Sequence, residues 1–207
     1  VTRDYEPVRF VVVGLGMGKN RAQVIQETPG TELLGVCDID EERARSVAEE
    51  LDVPCTYDVE EWLTEDEVDV VYVLTWSGTH ADVGVQALEA GKHVLTTKPM
   101  DVSLDACDRM IRAAEERDLL LGVDFQRRFT SDLLSTREFV RGGKLGRTLG
   151  AQVTLKVLRP QSYFEGKGSW HGTIQWDGGG VLSNQCVHHI DEAVFVLGVP
   201  EAVRADI

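Results

Sequence analysis

The sequence predicts a doubly wound α/β domain followed by the beginning of a second, α+β domain. Two observations within the first 125 residues carry the first part. Short apolar runs alternate with segments of helical period, the βαβα pattern that builds a parallel sheet. Those runs are continuously apolar rather than alternating, as strands covered on both faces are. The second part rests on a change of character after Phe125, where two arginines lead into a new helical stretch.

In chain order, strands are expected at 10–13, 33–36, 70–74, 93–95 and 119–123, with crossover helices at 20–27, 41–51, 78–90 and 104–117. Gly30, Pro54 and Gly91 fall where a helix should stop and the next strand begin. A domain boundary is expected at 125/126, giving a first domain of residues 1–125 and a second of 126–207. The second should open with a helix at 131–141, closed by Gly142-Gly143, and continue in a long strand at 148–158. A loop rich in glycine, serine and aromatics then leads to Gly178-Gly179-Gly180, a helix over about 181–197, and a strand starting near 202. A sheet with so few strands is not self-sufficient. The 207 residues are therefore expected to be the amino-terminal, or ordered, part of a longer protein, and their second domain incomplete.

Charge narrows the range of partners. With 35 acidic residues against 21 basic ones the formal net charge is −14, a field that repels phosphate backbones and anionic lipid surfaces. No nucleic-acid or membrane partner is expected. No apolar run approaches the roughly 18 to 20 residues needed to cross a bilayer, and no secretory signal is expected at the amino end. The four cysteines, at 37, 55, 107 and 186, form no Cys-x-x-Cys pair and sit mostly in apolar runs. They read as reduced thiols, hence a cytoplasmic protein.

The first strand runs into Gly14-Leu15-Gly16-Met17-Gly18. Glycines at 14 and 16 allow a sharp turn and close approach of a pyrophosphate, and the following helix terminus offers free amides and a positive dipole end. Gly18 stands one place early for the common Gly-x-Gly-x-x-Gly. Asp38 follows the second strand, 20 residues beyond Gly18, the spacing at which a carboxylate accepts from the adenosine ribose hydroxyls. Its charge would repel a 2′-phosphate, so NAD is expected rather than NADP, with Arg43 and Arg45 as the opposing signal. The alternative role for Asp38, capping the helix at 41, suits Asp40 better.

Thr96-Thr97-Lys98-Pro99 brings Lys98 to the carboxyl edge of the sheet, where open α/β sheets place ligands. There its ammonium can polarise a hydroxyl or carbonyl; the alternative is a solvated loop lysine. On an ideal helix after Gly180, Asn184, His188 and Asp191 lie within roughly 60° of one another, opposite an apolar arc. His189 falls on the flank, and the alternative for the whole group is a solvent-facing polar stripe. Cys186, His188 and His189 fan around the helix, so no metal site is expected.

Taken together, the glycine turn, Asp38, Thr75-Trp76-Ser77-Gly78-Thr79-His80, Glu89 to Pro99 and Gly178 to Asp191 resemble one family. It is the glucose-fructose oxidoreductase, inositol dehydrogenase and MocA-type (Gfo/Idh/MocA) oxidoreductase family. The resemblance implies a Rossmann domain, a second domain with a mostly antiparallel sheet, and homo-oligomers formed through that sheet. It implies NAD(P)-dependent oxidation or reduction of a sugar, cyclitol or related polyol. Lys98 matches the lysine of the family's Lys-Pro pair, and His188 its proton acceptor. Gly14, Gly16, Met17, Gly18, Asp38, Thr75, His80 and Lys98 are expected at the cofactor, and Asn184, Asp191 and Trp170 at the substrate. Tyr163 and Trp176 are further candidates for sugar-stacking walls. Two positions depart from the common pattern: Thr97 replaces a glutamate and Asn184 an aspartate, the latter as in some sugar-nucleotide dehydrogenases of the family. A non-catalytic dinucleotide-binding regulator of the same fold is the competing reading, and retention of both Lys98 and His188 argues for the enzyme.

Overall fold

A computed structural model of the chain describes residues 6–165 and 169–205. Six parallel strands form one sheet in the order β3-β2-β1-β4-β5-β6. They are β1 (Val8–Val13), β2 (Thr31–Cys37), β3 (Cys55–Thr56), β4 (Val70–Val73), β5 (His93–Thr97) and β6 (Leu121–Asp124). This is the Rossmann order, in which the chain reverses direction across the sheet between β1 and β4. The register matches Val13 with Val73, Val73 with Thr96 and Thr96 with Val123, so the carboxyl ends of β1, β4, β5 and β6 lie along one edge.

Continuous apolarity has the expected cause. Val11, Val13, Val71 and Val73 pack with Leu88 and Met110 on one face, while Val12, Val36, Tyr72 and Leu74 pack with Leu15 and Ala22 on the other. The covering helices are α1 (Leu15–Glu27), α2 (Glu41–Leu51), α3 (Val59–Leu63), α4 (His80–Glu89) and α5 (Leu104–Glu115). Asp40 caps α2, its side chain accepting the Arg43 N–H at 3.1 Å, and Ser103 caps α5.

Several expectations need correction. Helix α1 starts at Leu15, not near 20, so Gly16 and Gly18 belong to its first turn. The two-residue edge strand β3 was not foreseen, being too short to leave an apolar run. In the second domain, α6 (Ser131–Arg141) forms as expected and packs on α8 (Val187–Leu197), with the short α7 (Ile174–Asp177) between them in sequence. Residues 148–158 do not form a strand, however, and Leu149 and Leu158 stand in solvent. β-Propensity is realised only against a neighbouring strand, and none lies beside this run among the described residues. Residues 202–205 are likewise irregular, and 206–207, the rest of that expected strand, lie outside the described residues. The second domain is thus only partly covered, and no strand of its expected antiparallel sheet is present among the described residues.

Candidate active site

The three glycines after β1 do three different things. Gly14 has φ +90°, and a Cβ there would lie 2.6 Å from the Leu74 carbonyl carbon and oxygen, so the turn into α1 requires glycine. Gly18 is buried, and a Cβ would come within 3.1 Å of Val12 Cγ1; its smallness lets the helix pack closely on the sheet. Gly16 is exposed and meets nothing within 4 Å. Its backbone is therefore open to a pyrophosphate, beside the exposed Met17. The early third glycine still performs the packing role.

Asp38, at the end of β2, is buried. Its Oδ2 accepts the Leu15 N–H at 2.7 Å, tying the glycine turn to β2, and its Oδ1 accepts the Asp40 N–H at 2.9 Å. Arg43 Nη1 adds contacts of 3.0 and 3.3 Å to the two oxygens. Those contacts fill roughly the four lone-pair sites of a carboxylate. Ribose hydroxyls would therefore take the places held by Arg43, whose side chain is half exposed and also pairs with Asp40 at 2.9 Å. Arg45 points elsewhere, to Glu41 and the Tyr57 ring.

The loop after β4 carries Thr75, whose hydroxyl accepts from Thr79 Oγ1 at 2.8 Å. His80 does not line an open surface. It is fully buried, with Nδ1 2.8 Å from the Pro99 carbonyl oxygen and Nε2 3.0 Å from that of Thr75. Burial lowers its pKa below the ordinary histidine value. The ring sits between the Thr75 loop and the Lys98-Pro99 loop, whose peptide bond is cis, and its one N–H donates to one of the two carbonyls. His80 thus packs at the junction of two site loops and presents no exposed atom to a cofactor.

The second domain reaches this edge through α7 and α8. Gly78 lies so close to α7 that a Cβ would sit 2.1 Å from the Gln175 carbonyl oxygen, and Trp76 and Trp176 meet with ring centroids 5.7 Å apart. Glycines 178, 179 and 180 all have positive φ, from +72° to +113°, and turn the chain into Leu182–Cys186, a single π-helical turn leading into α8. Such turns recur at functional sites. Lys98 Nζ donates to the Asn184 carbonyl at 2.9 Å and to its Oδ1 at 3.3 Å. The Asn184 amide in turn donates to Asp177, a buried carboxylate that also accepts the Gly172 N–H at 2.6 Å.

His188 lies edge-on to Phe125, with 6.2 Å between ring centroids. Its Nδ1 is buried without a hydrogen-bond partner among the described residues. Burial, followed by the positive charges of Lys98 and Arg127, pushes its pKa down to about 4, so the ring is neutral near pH 7 and able to accept a proton. His189 has its Nε2 3.5 Å from Arg127 Nη1.

Asp191 requires a correction. Both its oxygens accept from Arg128, one of them from Nε at 2.8 Å, while Glu192 pairs with Arg127 at 2.7 Å. The two arginines thereby tie α8 to the segment that follows β6. Asp191 is engaged through both oxygens in anchoring α8 rather than standing free beside Asn184. The ideal-helix count placed it beside Asn184, but the π turn breaks the regular 100° step between them. Trp170 is stacked on His171, with centroids 4.3 Å apart, and Tyr163 packs on the same imidazole. These rings form an aromatic cluster of their own.

Residues 8–125 match the oxidoreductase family, NAD-binding Rossmann fold, and residues 133–207 match the GFO/IDH/MocA C-terminal domain. The chain belongs to the Gfo/Idh/MocA family of oxidoreductases. It is 29% identical over 202 residues to a myo-inositol 2-dehydrogenase of Thermotoga maritima, covering 96% of this chain and 58% of the relative. It is 33% identical over 160 residues to inositol 2-dehydrogenase 3 of Saccharopolyspora erythraea, covering 75% of this chain and 47% of that protein. Among solved structures, the WlbA dehydrogenase of Bordetella pertussis in complex with NADH and UDP-GlcNAcA superposes with a TM-score of 0.82 at 27% identity, over 93% of this chain and 59% of that one. The chain spans about half the length of the curated relatives it matches.

In this Gfo/Idh/MocA chain Lys98 is bonded to Asn184, four residues before His188, and its charge acts on that histidine. Sequence reasoning missed Asp177. The available signal was an acidic residue directly before a glycine triplet that forces the chain back on itself.

Proposed function

We propose that this Gfo/Idh/MocA oxidoreductase transfers a hydride between NAD and a hydroxyl-bearing carbon of a sugar, cyclitol or sugar derivative. One observation carries the reading: at the sheet edge that holds the open backbone of Gly16, a half-buried lysine is bonded to Asn184, four residues before a half-buried histidine on which its charge acts. When bound, NAD supplies the acceptor for the two electrons and the hydrogen that leave carbon. Gly14, Gly16, Met17 and Gly18 form the pyrophosphate turn, Asp38 faces the adenosine ribose, and Thr75 lines the nicotinamide side. Lys98 donates to the substrate oxygen and stabilises the negative charge that grows there as the C–H bond breaks. His188 takes the hydroxyl proton onto its imidazole. Asn184 hydrogen-bonds the lysine and offers the same substrate an amide.

The domain boundary at 125/126 is part of this proposal. It is supported by the end of β6 at Asp124 and by the limit of the Rossmann match at 125. A cytoplasmic location and a homo-oligomer formed through the second-domain sheet belong to it too; light scattering of the full-length protein tests the assembly.

Proton acceptance gives a pH signature. Because the His188 pKa lies at about 4 rather than at the ordinary 6.5, kcat/KM should stay level from neutral pH down to about pH 5 and fall only as the ring protonates below that. A fall centred near 6.5 would show an unperturbed histidine at work instead. Cofactor preference rests on one charge. NAD should bind more tightly than NADP, and Asp38→Ala should narrow or reverse the difference, as read by fluorescence titration. Equal affinity of the unaltered protein for both would remove Asp38 from the ribose.

A further inference from the structure

Asp177 lies in none of the patterns that point to hydride transfer, yet it is a carboxylate only 2% exposed. Its surroundings fix it from several sides. Thr173 caps α7, its hydroxyl accepting the Trp176 N–H at 3.2 Å, and α7 itself is seated on Gly78. Gly178 then reverses the chain at φ +72°, bringing Ser183 so near that a Cβ would lie 2.9 Å from its own. One carboxylate oxygen of Asp177 accepts the Gly172 N–H, and the other accepts Nδ2 of Asn184.

The second bond decides which way the Asn184 amide faces. A carboxylate only accepts, an ammonium only donates, and an amide has one end of each kind. With its NH2 held by Asp177, Asn184 must turn Oδ1 towards Lys98 Nζ, 3.3 Å away. A flipped amide would set NH2 against the ammonium and carbonyl against carboxylate, unfavourable on both sides. The chain from Lys98 through Asn184 to Asp177 therefore has a single direction.

We propose that Asp177 is a positioning residue of the active site, which orients Asn184, and through it Lys98, while supplying the buried negative charge that balances the lysine. Its effect on turnover rests on the hydride-transfer reading, but its effect on Lys98 does not. The charged or titratable groups acting with Lys98 are Asp177 and the imidazoles of His80 and His188. Burial lowers the lysine pKa and Asp177 opposes that fall.

The test is a pH titration of the Lys98 Cε resonance in full-length protein carrying 13C-labelled lysine, the signal assigned with Lys98→Arg. Asp177→Asn should move the Lys98 midpoint to lower pH, and adding Asn184→Asp to that variant should bring it back. An unchanged midpoint in folded Asp177→Asn would overturn the proposal. Should Asp177→Asn fail to fold, Asn184→Asp alone serves. It opposes two carboxylates, so one must hold a proton with a raised pKa, and that stabilising proton is lost as pH rises. Its melting temperature relative to the unaltered protein should fall from about pH 5 to about pH 8; parallel curves would overturn the assignment. Neither readout requires turnover. A shifted midpoint therefore supports Asp177 even in a protein that oxidises no sugar, the result that would instead remove hydride transfer.

Discussion

His188→Ala and Lys98→Ala should each abolish most turnover of the full-length protein while leaving NAD affinity nearly unchanged. For the histidine, one positioned acid-base group is worth roughly 100- to 10,000-fold in rate. For the lysine, loss of the ammonium leaves the developing oxygen charge without its donor and exposes Asp177 as an unbalanced buried carboxylate. Steady-state rates of NADH formation together with fluorescence titration separate the two quantities. His189→Ala is the control and should cost far less, since that ring faces Arg127. A larger loss from the His189 change than from the His188 change would reverse the assignment of the proton acceptor.

Gly14→Ala and Gly16→Ala should both destroy dinucleotide binding, by different routes. At Gly14 the new methyl group meets the Leu74 backbone at 2.6 Å on a residue held at φ +90°. The strained dihedral alone costs on the order of 1–3 kcal/mol, and neither β1 nor β4 can yield without disturbing the sheet. The melting temperature should drop along with NAD affinity. At Gly16 the methyl group meets no protein atom, so the fold should keep its melting temperature. It nevertheless stands where the pyrophosphate must approach the backbone, and affinity should fall sharply. Calorimetric unfolding with NAD titration of both variants checks the contrast. A Gly16→Ala protein that binds NAD normally would move the pyrophosphate elsewhere.

The difference between these two glycines also shows what a sequence can disclose. The Rossmann fold, and the placing of Gly14, Asp38 and Lys98 just beyond strand ends, were legible because each depends on a strand and the few residues that follow it. Asn184 and His188 were found on the correct helix, but by a 100° count that the π turn interrupts, and the same count misplaced Asp191. The true partner of Asp191 is Arg128, 63 residues earlier, a pairing that only the folding of α8 back onto the segment after β6 creates. His80 was read as a cofactor neighbour because it follows a binding loop. Its burial between the Thr75 and Pro99 carbonyls depends on a loop 19 residues away. Residues 148–158 carried β-propensity without a neighbouring strand to realise it, and Asp177 acquires a role only once three glycines fold its loop onto Asn184.

The central claim is that the glycine turn and the Lys98–His188 pair serve one bound dinucleotide. A crystal structure of the protein with NADH tests it most directly. The pyrophosphate should lie against the backbone of Gly16 and Met17, the adenosine ribose on Asp38 with Arg43 displaced, and the reactive carbon of the nicotinamide should face Lys98 and His188. A dinucleotide seated away from Gly16, or a nicotinamide ring turned from Lys98 and His188, would contradict it.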